Sequence, residues 1–205
     1  KNLFSEVPIV SEEGNFDSHS FQQKVYWLID PIDGTRNFVK DKEEYTINIA
    51  LIKDGHPILG IIGNPPKNII WYGSIENSYV IRNGVKKNIC VNRYKKNNIN
   101  LVMSRNVDKE TRRFINKINA SSIRYISSSM KLCNIAEGHA DLYPRLENIS
   151  KWDIAAGDAI LRGAGGYILD HRGKVFLYNT PQKETGKFFA VSSKSIWKDV
   201  VKDIK

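Results

Sequence analysis

The feature that most constrains this chain is a series of short apolar segments between residues 45 and 91, broken at Asp54-Gly55, Pro65-Pro66 and Asn83-Gly84. Asp-Gly and Asn-Gly accept the positive φ angles of two-residue hairpin turns, which join neighbouring antiparallel strands. Strands are expected at 45–53, 57–64, 68–73, 78–82 and 85–91, together an antiparallel meander. From residue 98 the pattern changes to alternating units. Strands are expected at 99–104, 123–126, 140–143, 167–170 and 188–192, and helices at 108–119, 129–137, 153–164 and after Ser193. A meander followed by alternating units predicts an α+β fold of mixed layers. The polar and basic stretch 93–98 divides the chain into lobes 1–95 and 96–205.

With 205 residues, 41% of them hydrophobic, the chain can bury a substantial core. No run of ~18 apolar residues is present, so no transmembrane segment is expected. Nothing at the start resembles a secretory signal, and two cysteines do not make a disulfide framework. The expected location is therefore the reducing cytoplasm, with Cys133 a buried thiol in an apolar helix. The net charge of +9 favours anionic partners. The basic residues are scattered, however, and the longest clusters are Lys86-Lys87 and Arg93-Tyr94-Lys95-Lys96, so nucleic acid is not the expected partner. The chain begins at Lys1 without an initiator Met, and an N-terminal piece is expected to have been either removed or left out of the sequence.

Acidic residues recur where apolar runs end. Trp27-Leu28-Ile29 runs into Asp30, and Asp33 follows in the turn Pro31-Ile32-Asp33-Gly34-Thr35. Carboxylates this close repel by several kcal/mol in a partly buried site unless a cation lies between them. Hard oxygen donors suit Mg²⁺. Asp-Pro and Asp-Gly are equally ordinary turn formers, so the turn alone leaves both readings open. A second apolar stretch, Pro8-Ile9-Val10, ends on Ser11-Glu12-Glu13. Asp153, in Lys151-Trp152-Asp153-Ile154-Ala155-Ala156-Gly157, stands where an N-cap opens a helix. A carboxylate there could also help hold a metal facing a phosphate.

Together, Ser11-Glu12-Glu13, Asp30 to Thr35 and Trp152 to Gly157 resemble, in order, the three acidic motifs of the inositol monophosphatase superfamily of lithium-sensitive phosphatases. The resemblance implies a layered α-β-α-β-α sandwich, here without its N-terminal helices. It implies that lobe 1–95 binds metal, and that lobe 96–205 carries substrate residues and the third acidic ligand. Glu12, Asp30 and the carbonyl of Ile32 would hold one Mg²⁺, and Asp30, Asp33 and Asp153 a second, with a third ion also allowed. Glu12 and Thr35 would orient and deprotonate an attacking water. Gly34 and Thr35 would begin a helical turn that, with Asp33 and Asp153, faces the phosphate.

Ser127-Ser128-Ser129-Met130-Lys131 and Tyr143-Pro144-Arg145 resemble segments of the 3'(2'),5'-bisphosphate nucleotidase branch. They imply that Ser128, Lys131 and Arg145 bind a substrate with a second phosphate. Arg145 stands where inositol phosphatases carry a glutamate, and a guanidinium suits phosphate by its fork geometry. Lys131 on a solvated face, and Arg145 paired with Glu147 or Asp141, are the plain alternatives. The branch's histidine is missing after Ser104-Arg105-Asn106. The expected activity is Mg²⁺-dependent removal of the 3'-phosphate from adenosine 3',5'-bisphosphate, with a homodimer allowed. An inositol or sugar-phosphate phosphatase, or a non-catalytic anion-binding member, are the alternative readings.

Overall fold

The computed structural model describes residues 7–14, 18–40, 42–96 and 98–202. One sheet runs in chain order through β1 (Ile9–Ser11), β2 (Val25–Asp33), β3 (Thr46–Lys53), β4 (His56–Asn64), β5 (Ile69–Ser74), β6 (Ser78–Arg82) and β7 (Val85–Asn88). Only β1 runs parallel to its neighbour. A second sheet contains β8 (Asn100–Met103), β9 (Ser122–Tyr125), β10 (Leu142–Arg145), β11 (Tyr167–Asp170) and β12 (Phe188–Val191), in the order β11-β12-β10-β8-β9. The helices are α1 (Thr35–Val39), α2 (Lys109–Ile115), α3 (Met130–Ala136), α4 (Ala155–Gly163) and α5 (Lys194–Ile196), the last continuing into a π-helical turn at Trp197–Val201.

The meander follows from its turns. Asp54 and Gly55 have φ of 50° and 75°, and Asn83 and Gly84 have 49° and 80°. Positive φ at both central residues matches the right-handed strand twist, so each pair folds back tightly. Alternation along β3 turns Thr46, Asn48, Ala50 and Ile52 inward. Against that inner face, α4 packs on β3, β4 and β5. Two glycines permit the close approach. A Cβ at Gly60 would stand 2.2 Å from the Ala156 carbonyl oxygen, and one at Gly73 would stand 2.2 Å from the Ile160 Cα.

The helix α3 lies beside α4 and against β8, β10 and β12. The outer face of the second sheet is covered by Phe114 and Ile115 of α2, with Ile196 and Val201, packed on Leu101, Met103, Leu142 and Phe189. The layers are thus sheet, helices, sheet, helices. On the face of the first sheet turned away from α4, Ile47 and Ile70 are 38% and 43% exposed. Among the described residues no helix is long and apolar enough to cross a membrane.

Most element ends shift by a residue or two from the sequence expectation, and three of the shifts involve identifiable partners. The strand expected through residue 91 ends at Asn88, and Val91 donates its N–H to the carbonyl of Ala164 at the end of α4. The helix expected through residue 119 ends at Ile115, where i to i+3 bonds from Lys117 and Ile118 tighten the exit toward β9. The strand expected at 140–143 is displaced to Leu142–Arg145, with Asp141 just before it donating its N–H to the Asn100 carbonyl at the start of β8.

Candidate active site

Pairing of β1 with β2 sets Ser11 opposite Ile29, and the N–H of Glu12 donates to the Ile29 carbonyl at 3.2 Å. Glu12 is thereby carried beside Asp30, within hydrogen-bonding range of its carboxyl. Asp30 faces Asn48 across β2 and β3, and the register shifts between Asp30 and Asp33. Asp30 follows Tyr26 and Leu28 inward by strand alternation, and the shift lets Asp33, three residues on, face the same side. Asp30 Oδ1 accepts from the Ile32 N–H at 3.0 Å. Beyond them Gly34 takes φ +94° and opens α1, and the exposed Thr35 donates its hydroxyl to the Ile32 carbonyl at 3.2 Å. A side chain at Gly34 would press on the Glu44 carbonyl.

The third acid arrives from far along the chain. Asp153 does not cap α4, as its sequence position suggested. It is the last residue of a 3₁₀ turn, Lys151–Asp153, whose Ser150 and Asp153 form a reciprocal capping box. The Ser150 N–H donates to Asp153 Oδ2 at 3.1 Å, so the cap lies one turn earlier and Ile154 leads into α4. Beneath the turn, buried Lys151 donates to the Thr180 carbonyl and hydroxyl at 2.6 and 2.8 Å. Burial lowers its pKa to about 8.

Asp30, Asp33 and Asp153 each offer an oxygen within 4.8 Å of the others. Burial first, then the charges of Asp33, Glu12 and Asp153, push Asp30 up to about 9. Burial and then Asp33 raise Asp153 to about 7. Asp30 is 1% exposed, and its Oδ2 has no partner among the described residues. An orphan acceptor flanked by further carboxylates is costly by itself and suits a hard divalent cation. The residues therefore fit a metal ion.

Sequence reading missed the hub of this arrangement, Ser129. Its N–H and hydroxyl approach Asp33 Oδ2 at 2.5 and 2.7 Å, the hydroxyl lies 2.6 Å from the Asp153 carbonyl, and Asn48 donates to it at 2.8 Å. One residue thus links two acids separated by 120 positions. Nothing in the run Ser127-Ser128-Ser129 distinguished the third serine. The hint was the polar pair Thr46 and Asn48 on the inner face of β3.

A cavity of about 220 Å³ opens beside the carboxylates, lined by Asp33, Asp153, Ser128, Lys131, Tyr143 and Arg145 among others. Ser128 has φ +54°, and its buried hydroxyl lacks a partner among the described residues. Lys131 is buried in the first turn of α3, where it donates to the Ser128 carbonyl at 2.6 Å and lies 5.2 Å from the Tyr143 ring. It has left the solvated face. Arg145 reaches Glu147 at 3.3 Å, while its Nε is buried and has no partner among the described residues. The suggested pairing with Asp141 does not form. That acid is fully buried and accepts from Asn100, Asn92 and Ser192. Cys133 is buried as expected, and burial raises its thiol pKa.

Residues 1–198 match the model of the inositol monophosphatase family. The 3'(2'),5'-bisphosphate nucleotidase CysQ of Salmonella typhimurium is 36% identical over 185 residues, 89% of this chain and 74% of that protein. CysQ of Escherichia coli K12 is 34% identical over 194 residues, covering 94% and 78% respectively. The crystal structure of CysQ from Bacteroides thetaiotaomicron superposes with a TM-score of 0.82 at 28% identity, covering 93% of this chain and 79% of that one. The Thermotoga maritima IMPase gives 0.76 at 28% identity, covering 98% and 78%. With its layered fold, its acidic trio and a match along nearly its whole length, the chain belongs to the inositol monophosphatase family.

Proposed function

We propose that this protein is a phosphoric monoester hydrolase that removes the 3'-phosphate of adenosine 3',5'-bisphosphate, releasing AMP. One observation carries the reading: Asp33 and Asp153, two of three clustered carboxylates, share a cavity with Lys131 and Arg145. Carboxylates alone would repel a phosphate, and cations alone would bind it without chemistry. The CysQ relatives, named as 3'(2'),5'-bisphosphate nucleotidases, support the substrate class.

In this reading Glu12, Asp30, Asp33, Asp153 and the Ile32 carbonyl hold two or three Mg²⁺. Such ions neutralise charge and acidify water. The attacking group is water, so no residue forms a covalent bond to phosphorus. Glu12, beside Asp30, accepts the water's proton. Thr35, anchored on the Ile32 carbonyl, orients it. As the water oxygen bonds to phosphorus, the bond to the 3'-oxygen breaks, and catalysis rests on positioning and charge. Ser129 holds Asp33 in place, Lys131 and Arg145 bind the anionic substrate, and Ser128 offers its hydroxyl. Lobe 1–95 thus supplies most of the acids, and lobe 96–205 the substrate contacts and Asp153.

Purified protein with Mg²⁺ is assayed for phosphate release from adenosine 3',5'-bisphosphate and inositol 1-phosphate. Faster turnover of the bisphosphate, inhibited by Li⁺, is expected. Faster turnover of inositol 1-phosphate would overturn the substrate assignment.

A further inference from the structure

A second cavity, of about 380 Å³, adjoins the first and shares Ser104, Ser128 and Lys131 with it. Its character is different. Arg36, Lys40, Lys42 and Arg105 join Lys131 in its lining, and no carboxylate lines it among the described residues. The first cavity, by contrast, sets Asp33 and Asp153 against two cations. Arg36, Lys40 and Lys42 are exposed, and none has an ion-pair partner among the described residues. Arg105 is held in fork geometry by Glu44, at 2.6 and 3.2 Å. That pairing fixes the guanidinium at the rim and leaves further N–H groups for an anion.

Cations converging on a concave surface, with only Arg105 matched by an acid, repel one another until an anion enters. We propose that this second cavity receives the second phosphoryl group of the substrate, with Arg36, Lys40, Lys42 and Arg105 determining specificity beside Lys131. The assignment rests on the phosphatase reading above and refines it. The scissile phosphate lies at the carboxylates, and the remaining phosphate sits across Lys131 in the basic cavity, which selects bisphosphate over monophosphate substrates.

The test uses the double variant Lys40→Gln with Lys42→Gln. Both side chains are exposed, so the fold has no packing to lose at either position. The first readout is the ratio of kcat/KM for adenosine 3',5'-bisphosphate to that for adenosine 3'-monophosphate. It is expected to fall at least tenfold, since charge-assisted hydrogen bonds are the stronger class. The same charge change on β7, Lys86→Gln with Lys87→Gln, is expected to leave the ratio unchanged. The second readout needs no turnover: calorimetric binding of adenosine 5'-monophosphate in EDTA, expected to weaken at least tenfold in the Lys40/Lys42 variant. An unchanged ratio, an unchanged affinity, an equal loss in the β7 control, or no binding of adenosine 5'-monophosphate by the wild type overturns the subsite. Should the wild type release phosphate from inositol 1-phosphate but from no nucleotide, the substrate reading falls and the binding arm alone decides the subsite.

Discussion

Asp30→Asn should stabilise the metal-free protein, by an amount that grows with pH. The carboxyl is 1% exposed, lies against Asp33, Glu12 and Asp153, and keeps its proton up to about pH 9 in the folded, metal-free state. In the unfolded chain an aspartate ionises near pH ~4. A raised folded pKa means the group's contribution is whole below pH ~4 and is lost as pH rises toward 9. Each pH unit in that window costs up to about 1.4 kcal/mol for one proton, or roughly 4 kcal/mol between pH 5 and 8. Asparagine has the same shape, keeps an acceptor for the Ile32 N–H, and can donate its amide to the neighbouring carboxylates. It carries no titration. Urea unfolding in EDTA at pH 5, 6.5 and 8 should therefore show a variant advantage that is small at pH 5 and reaches a few kcal/mol at pH 8. Mg²⁺ should reverse the order, because an ion that binds only the folded state stabilises the wild type by mass action, and the variant has lost a ligand. Parallel pH profiles for the two proteins, or an equal Mg²⁺ shift in both, would refute the reasoning.

Asp33→Asn should reduce Mg²⁺-dependent phosphate release to background, and a variant with near-normal turnover would contradict its place in the metal set. Relief of repulsion is expected from Asp30→Asn rather than from this substitution, since Asp33 Oδ2 already accepts from Ser129 and lies 3.4 Å from the Thr46 hydroxyl. Ser129→Ala removes an acceptor for buried Asn48 and a donor for the acids. It should cost about 1–3 kcal/mol in urea melts and lower phosphate release; unchanged stability would show that the hub carries no weight. Gly73→Ala drives a methyl against the Ile160 backbone and should cost about 3 kcal/mol or more, whereas Gly63→Ala meets nothing within 4 Å and should stay within ~0.5 kcal/mol. Thermal melts of the pair check this, and equal losses would mean that α4 does not depend on the close approach.

Much of the fold was legible because its signals are local. The turn dipeptides at 54–55 and 83–84 sit where hairpins form, and the apolar alternation of β3 to β6 follows from the two-residue period of a strand. Element ends were less legible. Val91 leaves its strand for the last carbonyl region of α4, and Asp141 prefers Asn100, choices that depend on partners distant in sequence. Asp153 shows the same limit: a carboxylate before a helix reads as its cap, but the capping box with Ser150 formed one turn earlier.

The sequence by itself determined which chemistry was available: acids at the ends of apolar runs, a lysine at the start of α3 and an arginine on β10. These depend on residue type and near neighbours. Tertiary structure alone decided how they were grouped. Ser129 meets Asp33 across 96 positions, and two cavities share Lys131 while dividing the carboxylates from Arg36, Lys40 and Lys42. The reason is physical. Hydrogen bonds and charges act over a few ångströms in space, whereas the pairing of β2 with β3 and the seating of α4 on two glycines determine which distant residues come that close.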